Sequence, residues 1–245
     1  MRFGFTEYDA ALSNVWKLQV MENTATVVQS RIGCGEVFIN DLKNLVKRNI
    51  IYHGIFSGFE NSPFEPTVPD WGIKMEALHT IASNMPDRRR VVLRLNPVIP
   101  TKPAMTSLAE ILDAAPHGIR VRMDFLKLSG KIMRDIEELR LRGYPLLLHW
   151  NTFEVPLDRR KMVMDFFHKR WGRKFSVLDF CQSPLMPADH CAGCISRDDY
   201  RILQLPDDFS GDYEGGPHCS CVRSKVPLYD KEAIVECMWN GNLQL

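Results

Sequence analysis

The chain has 245 residues, of which 45% are hydrophobic, and its 31 Lys and Arg balance 30 Asp and Glu to a net charge of +1. That length suits one large domain or two small ones, and the apolar fraction supports a full core without disulfides or metal. Balanced charge gives no global field toward nucleic acid or membrane, and no apolar run reaches the roughly 18 residues of a membrane span.

The first 87 residues alternate irregularly. Arg2 to Tyr8, Val27 to Ile32 and Ile50 to Phe56 read as strands, and Asn40 to Arg48 and Gly72 to Ser83 as helices. Ile32-Gly33-Cys34-Gly35-Glu36 follows a strand but lacks phosphate-loop spacing, so it reads as a turn. From residue 88 the pattern becomes regular. Strands are expected over Val91–Leu95, Ile119–Phe125, Pro145–Trp150 and Phe175–Cys181. Helices are expected over Ser107–Ala115, Gly130–Arg142 (closed by Gly143) and Asp158–Trp171 (followed by Gly172). Strands alternating with helices through short loops predict an α/β fold with a parallel sheet. With about seven strands, the expected architecture is a TIM-like (β/α) barrel, whole or partial. After Pro184 the periodicity is lost. Residues 1–184 are therefore expected to form the barrel, and 185–245 an irregular cysteine-rich segment packed on it.

Side chains alternate across a strand, so residues two apart share a face. Four expected strands end in polar same-face pairs: Arg94 with Asn96, Arg122 with Asp124, His149 with Asn151, and Asp179 with Cys181. The opposite face carries Leu93 and Leu95, Val121 and Met123, Leu148 and Trp150, and Leu178 and Phe180. Helices cover the outside of such a sheet, so the polar pairs should line the barrel near its C-terminal mouth, where TIM-barrel active sites sit. His149 suits proton transfer by its near-neutral pKa, with Asp124 as the acidic partner. Arg94, Asn96, Arg122, Asn151 and Asp179 are candidates for holding a cofactor or substrate. The alternative is that Arg94, Arg122 and Asp124 fill the lumen as buried ion pairs.

Seven cysteines fit poorly with a disulfide framework. The N-terminus also lacks the apolar stretch and cleavage site of a signal peptide, which points to a reducing, cytoplasmic setting where paired cysteines bind metal. Cys191 and Cys194, then Cys219 and Cys221, form a C-x2-C and a C-x-C pair. Gly193 lets the first turn close. Cys237 is a candidate fifth ligand, and His190 and His218 flank the pairs and could replace a thiolate. Zinc ribbons favour two C-x2-C knuckles, whereas loops around iron–sulfur clusters use more varied spacing; the spacing alone leaves zinc and a cluster both open.

Several segments in order carry a family resemblance. They are His53-Gly54-Ile55-Phe56, Phe64-Glu65-Pro66-Thr67-Val68-Pro69, and the run Val91 to Ile99. They continue with Phe180-Cys181, Cys194-Ile195-Ser196, and Cys219-Ser220-Cys221-Val222-Arg223-Ser224-Lys225 before Tyr229. With these the chain resembles a bacterial barrel family of unknown function that is similar to radical S-adenosylmethionine enzymes and, distantly, to spore photoproduct lyase. The resemblance implies an enzyme with a Cys-ligated [4Fe-4S] cluster near the mouth, S-adenosylmethionine as a cofactor, and a small-molecule, nucleotide or nucleic-acid substrate. Arg94, Asn96 and Asp124 would contact the cofactor. That family's C-x-C, a further cysteine, and a C-x3-C-x2-C are only partly present. Cys219, Cys221 and Cys237 match the start, and no cysteine follows Cys237. Either Cys191 and Cys194 complete the set, or the radical chemistry is lost. The rival expectation is a non-redox barrel with structural zinc, serving as an interaction module or a zinc-dependent enzyme.

Two basic clusters remain: Arg88-Arg89-Arg90, and His168-Lys169-Arg170-Trp171-Gly172-Arg173-Lys174. The second interleaves an aromatic, as nucleic-acid binders do, yet cations at a helix end also offset its dipole. Both precede strands, which in a barrel places them at the end away from the mouth.

Overall fold

The structure, a computed structural model, describes residues 3–6, 9–57, 67–126, 155–181 and 197–206, together with Arg134 and Leu141. In chain order its elements are β1 (Phe3–Phe5), α1 (Val15–Glu22), β2 (Ala25–Ser30), α2 (Glu36–Asn44), β3 (Ile50–Phe56) and α3 (Trp71–Asn84). Next come β4 (Val91–Val98), α4 (Lys102–Ala114), β5 (Arg120–Phe125), α5 (Leu157–Trp171), β6 (Val177–Cys181) and α6 (Arg197–Ile202). The strands form one parallel sheet in the order β1-β2-β3-β4-β5-β6.

That order decides where the helices go. Parallel crossovers are right-handed, so a sheet that grows in one direction without reversal receives every crossover helix on the same face. One apolar cluster accordingly joins Val28, Tyr52, Phe56, Leu93, Leu95, Val121 and Met123 of the sheet to Trp16, Phe38, Leu78, Leu108, Ile111 and Phe167 of α1 to α5. Each fully buried side chain of this size contributes about 1.5–3 kcal/mol relative to exposure. The opposite, inner face has its own small cluster. Ala25, Val27, Ile51 and Val92 pack there against Tyr200 and Leu203, in and just after α6. This single-direction order differs from a doubly wound sheet, which reverses direction, and is compatible with part of an α/β barrel. Among the described residues β1 pairs only with β2 and β6 only with β5, so the described strands make an open parallel sheet.

The helix expected over 130–142 and the strand expected over 145–150 lie outside the described residues, Arg134 and Leu141 apart. In the sheet, β5 pairs directly with β6, Arg122 opposite Asp179 and Asp124 opposite Cys181. Elsewhere the element boundaries shift for physical reasons. Helix α1 lacks a one-sided stripe because its apolar residues are spread over both faces: Trp16 and Val20 are buried while Leu18 and Met21 are exposed. Helix α4 begins five residues earlier than the pattern suggests, because Pro103 sits in its first turn, where the missing N–H costs nothing. Helix α3 is started by Asp70, whose carboxylate accepts from the Gly72 N–H at 2.7 Å. Helix α6 is a short helix within the segment expected to be irregular. It lies where Pro, Gly and Asp dominate the composition, so periodicity carried no signal for it.

Candidate functional site

On the inner face, Ile51, His53 and Ile55 of β3 stand beside Val92, Arg94 and Asn96 of β4, and Arg120, Arg122 and Asp124 of β5. The alternation read from sequence holds for β4 and β5. Leu93, Leu95, Val121 and Met123 enter the helix-side core, and the polar residues take the other face. By register Asp179 of β6 lies opposite Arg122, and Cys181 opposite Asp124.

The polar groups sort by depth. Deepest is Asp199 of α6, fully buried, which pairs with two arginines of β5. Its Oδ1 lies 2.7 Å from Arg120 Nη1, and Arg122 Nη2 donates to both of its oxygens at 3.0 Å. Arg120 Nε also donates to the Arg89 carbonyl at 2.5 Å. Burial pulls the Arg120 guanidinium below its usual range, against the upward pull of Asp199. Beside this clamp His53 is fully buried, with Nε2 3.5 Å from Arg122 Nη1. A guanidinium only donates, so this long contact casts Nε2 as the acceptor and the ring as neutral. Burial, reinforced by Arg122 and Arg94, holds His53 well below the ordinary histidine range.

Nearer the C-terminal ends, exposure rises. Arg94 and Asp124 keep 12% and 14% of their side-chain surface, against 0–3% for the clamp. Arg94 Nε and Nη2 converge on Asp124 Oδ2 at 2.9 and 2.7 Å. Asp124 Oδ1 is buried and has no hydrogen-bond partner among the described residues. Asn96 is half-buried at the end of β4, and its carbonyl accepts from Arg31 Nη2 at 3.3 Å, tying β2 to the same rim. Gln29 of β2, in register with His53, donates to the Thr6 carbonyl at 3.3 Å, and its Oε1 is likewise buried and unpartnered among the described residues. Buried acceptors are normally satisfied, so Asp124 Oδ1 and Gln29 Oε1 mark where a bound donor, water or ligand, would fit.

The structure therefore brings Arg94, Asn96, Arg122 and Asp124 onto one face. It forms the Arg94–Asp124 pair but gives Arg122 to Asp199 rather than to Asp124. His149, Asn151, Cys191, Cys194, Cys219, Cys221 and Cys237 lie outside the described residues, as do His190 and His218. Among the described residues no group of three or more His, Cys, Asp and Glu side chains could hold a metal ion. Three site residues escaped the sequence reading. His53 and Arg120 lie on the alternation already used for Arg94 and Arg122, one or two steps closer to the strand starts. Asp199 had no periodic context to reveal it.

A hollow lies on the helix side, between the β2–α2 turn, β3 and α3. It is lined by Ser30, Arg31, Tyr52, Gly54, Phe56 and Lys74, with about 200 Å³ of empty space including its open mouth. Lys74 is buried with its ammonium 4.4 Å from the Phe56 ring centre.

Among the described residues no helix is long and apolar enough to cross a membrane. Comparison with protein-family models finds no match to this chain, and comparison with curated proteins finds none either.

Proposed function

We propose that the chain is an enzyme acting at the C-terminal mouth of the inner face, with the C-terminal cysteines holding an iron–sulfur cluster in the manner of radical S-adenosylmethionine enzymes. The observation that carries this reading is the Arg94–Asp124 pair. It fixes a carboxylate at the least buried level of the polar face and leaves Oδ1, a buried acceptor, for a donor. A purely structural pair would be expected to satisfy both oxygens. Asp124 would accept from a hydroxyl or amino group of cofactor or substrate, Arg94 would hold that carboxylate in place, and neutral His53 would line the floor without adding charge. The cysteines that would bind the cluster lie outside the described residues, and the described side chains contain no competing metal group. A bound cluster would supply an electron to the molecule at the mouth.

The test is the visible spectrum and iron content of anaerobically purified protein, followed by calorimetry with S-adenosylmethionine. A broad charge-transfer band, with cofactor binding lost in Asp124→Asn, is the expected result. Colourless, iron-free protein after reconstitution would remove the redox reading.

A second reading is a barrel whose cysteines hold structural zinc. It is favoured by the anchoring of α6 between the two cysteine pairs: Asp199, Tyr200 and Leu203 are all buried, as in a segment fixed for stability. One zinc per chain in colourless protein, with chelation lowering thermal stability, is what this reading expects.

A further inference from the structure

The end of the sheet opposite the mouth carries a concentration of charge that the proposed active site does not use. In a parallel barrel every connection leading into a strand emerges at that end. The five connections into β2 to β6 (22–24, 43–49, 85–90, 113–119 and 168–176) hold ten Lys and Arg against three carboxylates, in a chain whose totals are 31 and 30. The rest of the sequence carries more carboxylates than cations, so the excess of positive charge is local to these connections.

Hydrogen bonds show that these connections form one surface. Arg90 donates to the Arg48 carbonyl at 3.4 Å, Arg88 to the His117 carbonyl at 3.5 Å, and Lys174 Nζ to the Leu112 and Asp113 carbonyls at 2.7 and 2.6 Å. Two of the three carboxylates are engaged within it, Asp87 by Arg89 at 2.7 Å and Asp113 by Arg170 at 2.6 Å. Lys47, Arg48, Lys169 and Arg173 are exposed and make no ion pair among the described residues. Offsetting helix dipoles accounts only for cations in a last helical turn, Lys43, Lys169 and Arg170. Lys47, Arg48 and Arg173 lie beyond any helix end, and Arg88 and Arg89 sit in a single three-residue 3-10 turn, too short to build a dipole that needs offsetting.

We propose that this surface binds the phosphate backbone of double-stranded nucleic acid. Two observations choose that partner among polyanions. Trp171, the aromatic within the basic run, is 2% exposed, donates from Nε1 to Asp113 at 2.6 Å and lies beneath Arg170, so it is no platform for stacking unpaired bases. The exposed residues of these connections also offer no large apolar side chain to enter a bilayer. What remains is a rigid array of cations, suited to backbone contact without sequence readout.

The test is fluorescence anisotropy of the full chain with a short random-sequence duplex DNA, run as a salt series. Neutralising about four phosphates should weaken binding roughly 100-fold between about 50 and 200 mM salt. The paired reversals Lys47→Glu with Arg48→Glu, and Lys169→Glu with Arg173→Glu, should each cost at least about tenfold in Kd at low salt. Lys102→Glu, exposed at the mouth end, should leave Kd within about twofold. All these side chains are solvent-facing, and circular dichroism checks that the variants fold. Salt-insensitive binding, no binding at low salt, reversals indistinguishable from Lys102→Glu, single strands bound far more tightly than duplex, or anionic vesicles preferred over DNA would each overturn the proposal. None of these outcomes depends on a cluster or on the mouth.

Discussion

Asp199→Ala is the sharpest single perturbation of this fold. The aspartate contributes one negative charge to two guanidiniums that are 1% and 3% exposed, and it comes from a six-residue helix outside the repeating pattern. Its removal leaves Arg120 and Arg122 as buried like charges on one strand, two residues apart on the same face. Breaking a buried pair by deleting one partner costs about 3–5 kcal/mol, a large share of the roughly 5–15 kcal/mol that stabilises a domain. Urea unfolding should show the midpoint falling accordingly with little change in m. Replacing the whole clamp by Arg120→Met, Arg122→Met and Asp199→Leu should recover most of the loss, because apolar substitutes of similar volume carry no desolvation cost. A double-mutant cycle between positions 122 and 199 should give a coupling above about 1 kcal/mol. An Asp199→Ala loss below about 1 kcal/mol would refute the reasoning, since it would mean that α6 is not seated on the inner face.

Three further outcomes are expected. His53 is neutral in the fold with a depressed pKa, whereas the unfolded chain titrates near 6.5. Its contribution is thus complete above pH 6.5 and declines as pH falls below it, by up to about 1.4 kcal/mol per unit until the folded ring itself takes a proton; His53→Asn should flatten that slope, and an unchanged slope would count against it. Gly54→Ala would place a Cβ 3.0 Å from Leu78 Cδ1, and Leu78 would have to shift toward the hollow that both residues line, so a loss of about 1 kcal/mol, at the low end for overpacking, is expected in thermal melts. Asp124→Asn keeps the shape but removes the charge opposing Arg94, which should cost about 1.5–3 kcal/mol; a variant as stable as the parent would show the pair to be solvated rather than built in.

Alternation was legible because β4 and β5 are half polar. Arg94 and Asn96, or Arg122 and Asp124, interrupt apolar neighbours at a spacing that only a strand explains. Strand β3 hid the same face, because Ile51 and Ile55 flank His53 there and all seven residues are buried, so the run reads as uniformly apolar. The clamp was illegible for another reason. Arg120 and Arg122 advertise a buried positive charge, but the counter-charge arrives from Asp199, 77 residues beyond Arg122, in a stretch without period. Sequence pattern reports local geometry, and a long-range ion pair has none.

The depth ordering of the inner face links these points to function. Helix α6 closes the start of the strands, where Asp199, Tyr200 and Leu203 cover Arg120, Val27, Ile51 and Val92. A ligand reaching the inner face must therefore come from the strand ends, where Arg94 and Asp124 retain some exposure. The same plug lies against the Arg88–Arg90 turn, whose Arg89 carbonyl accepts from Arg120, so the basic end and the inner face share one anchored element. If duplex nucleic acid binds at the basic end, Asp199→Ala should weaken it only through loss of fold. Replacing the whole clamp by Arg120→Met, Arg122→Met and Asp199→Leu, which leaves no buried charge without its partner, should keep that affinity within about twofold while the exposed reversals abolish it. Equal loss in both would mean that the plug, and not the surface cations, makes the contact.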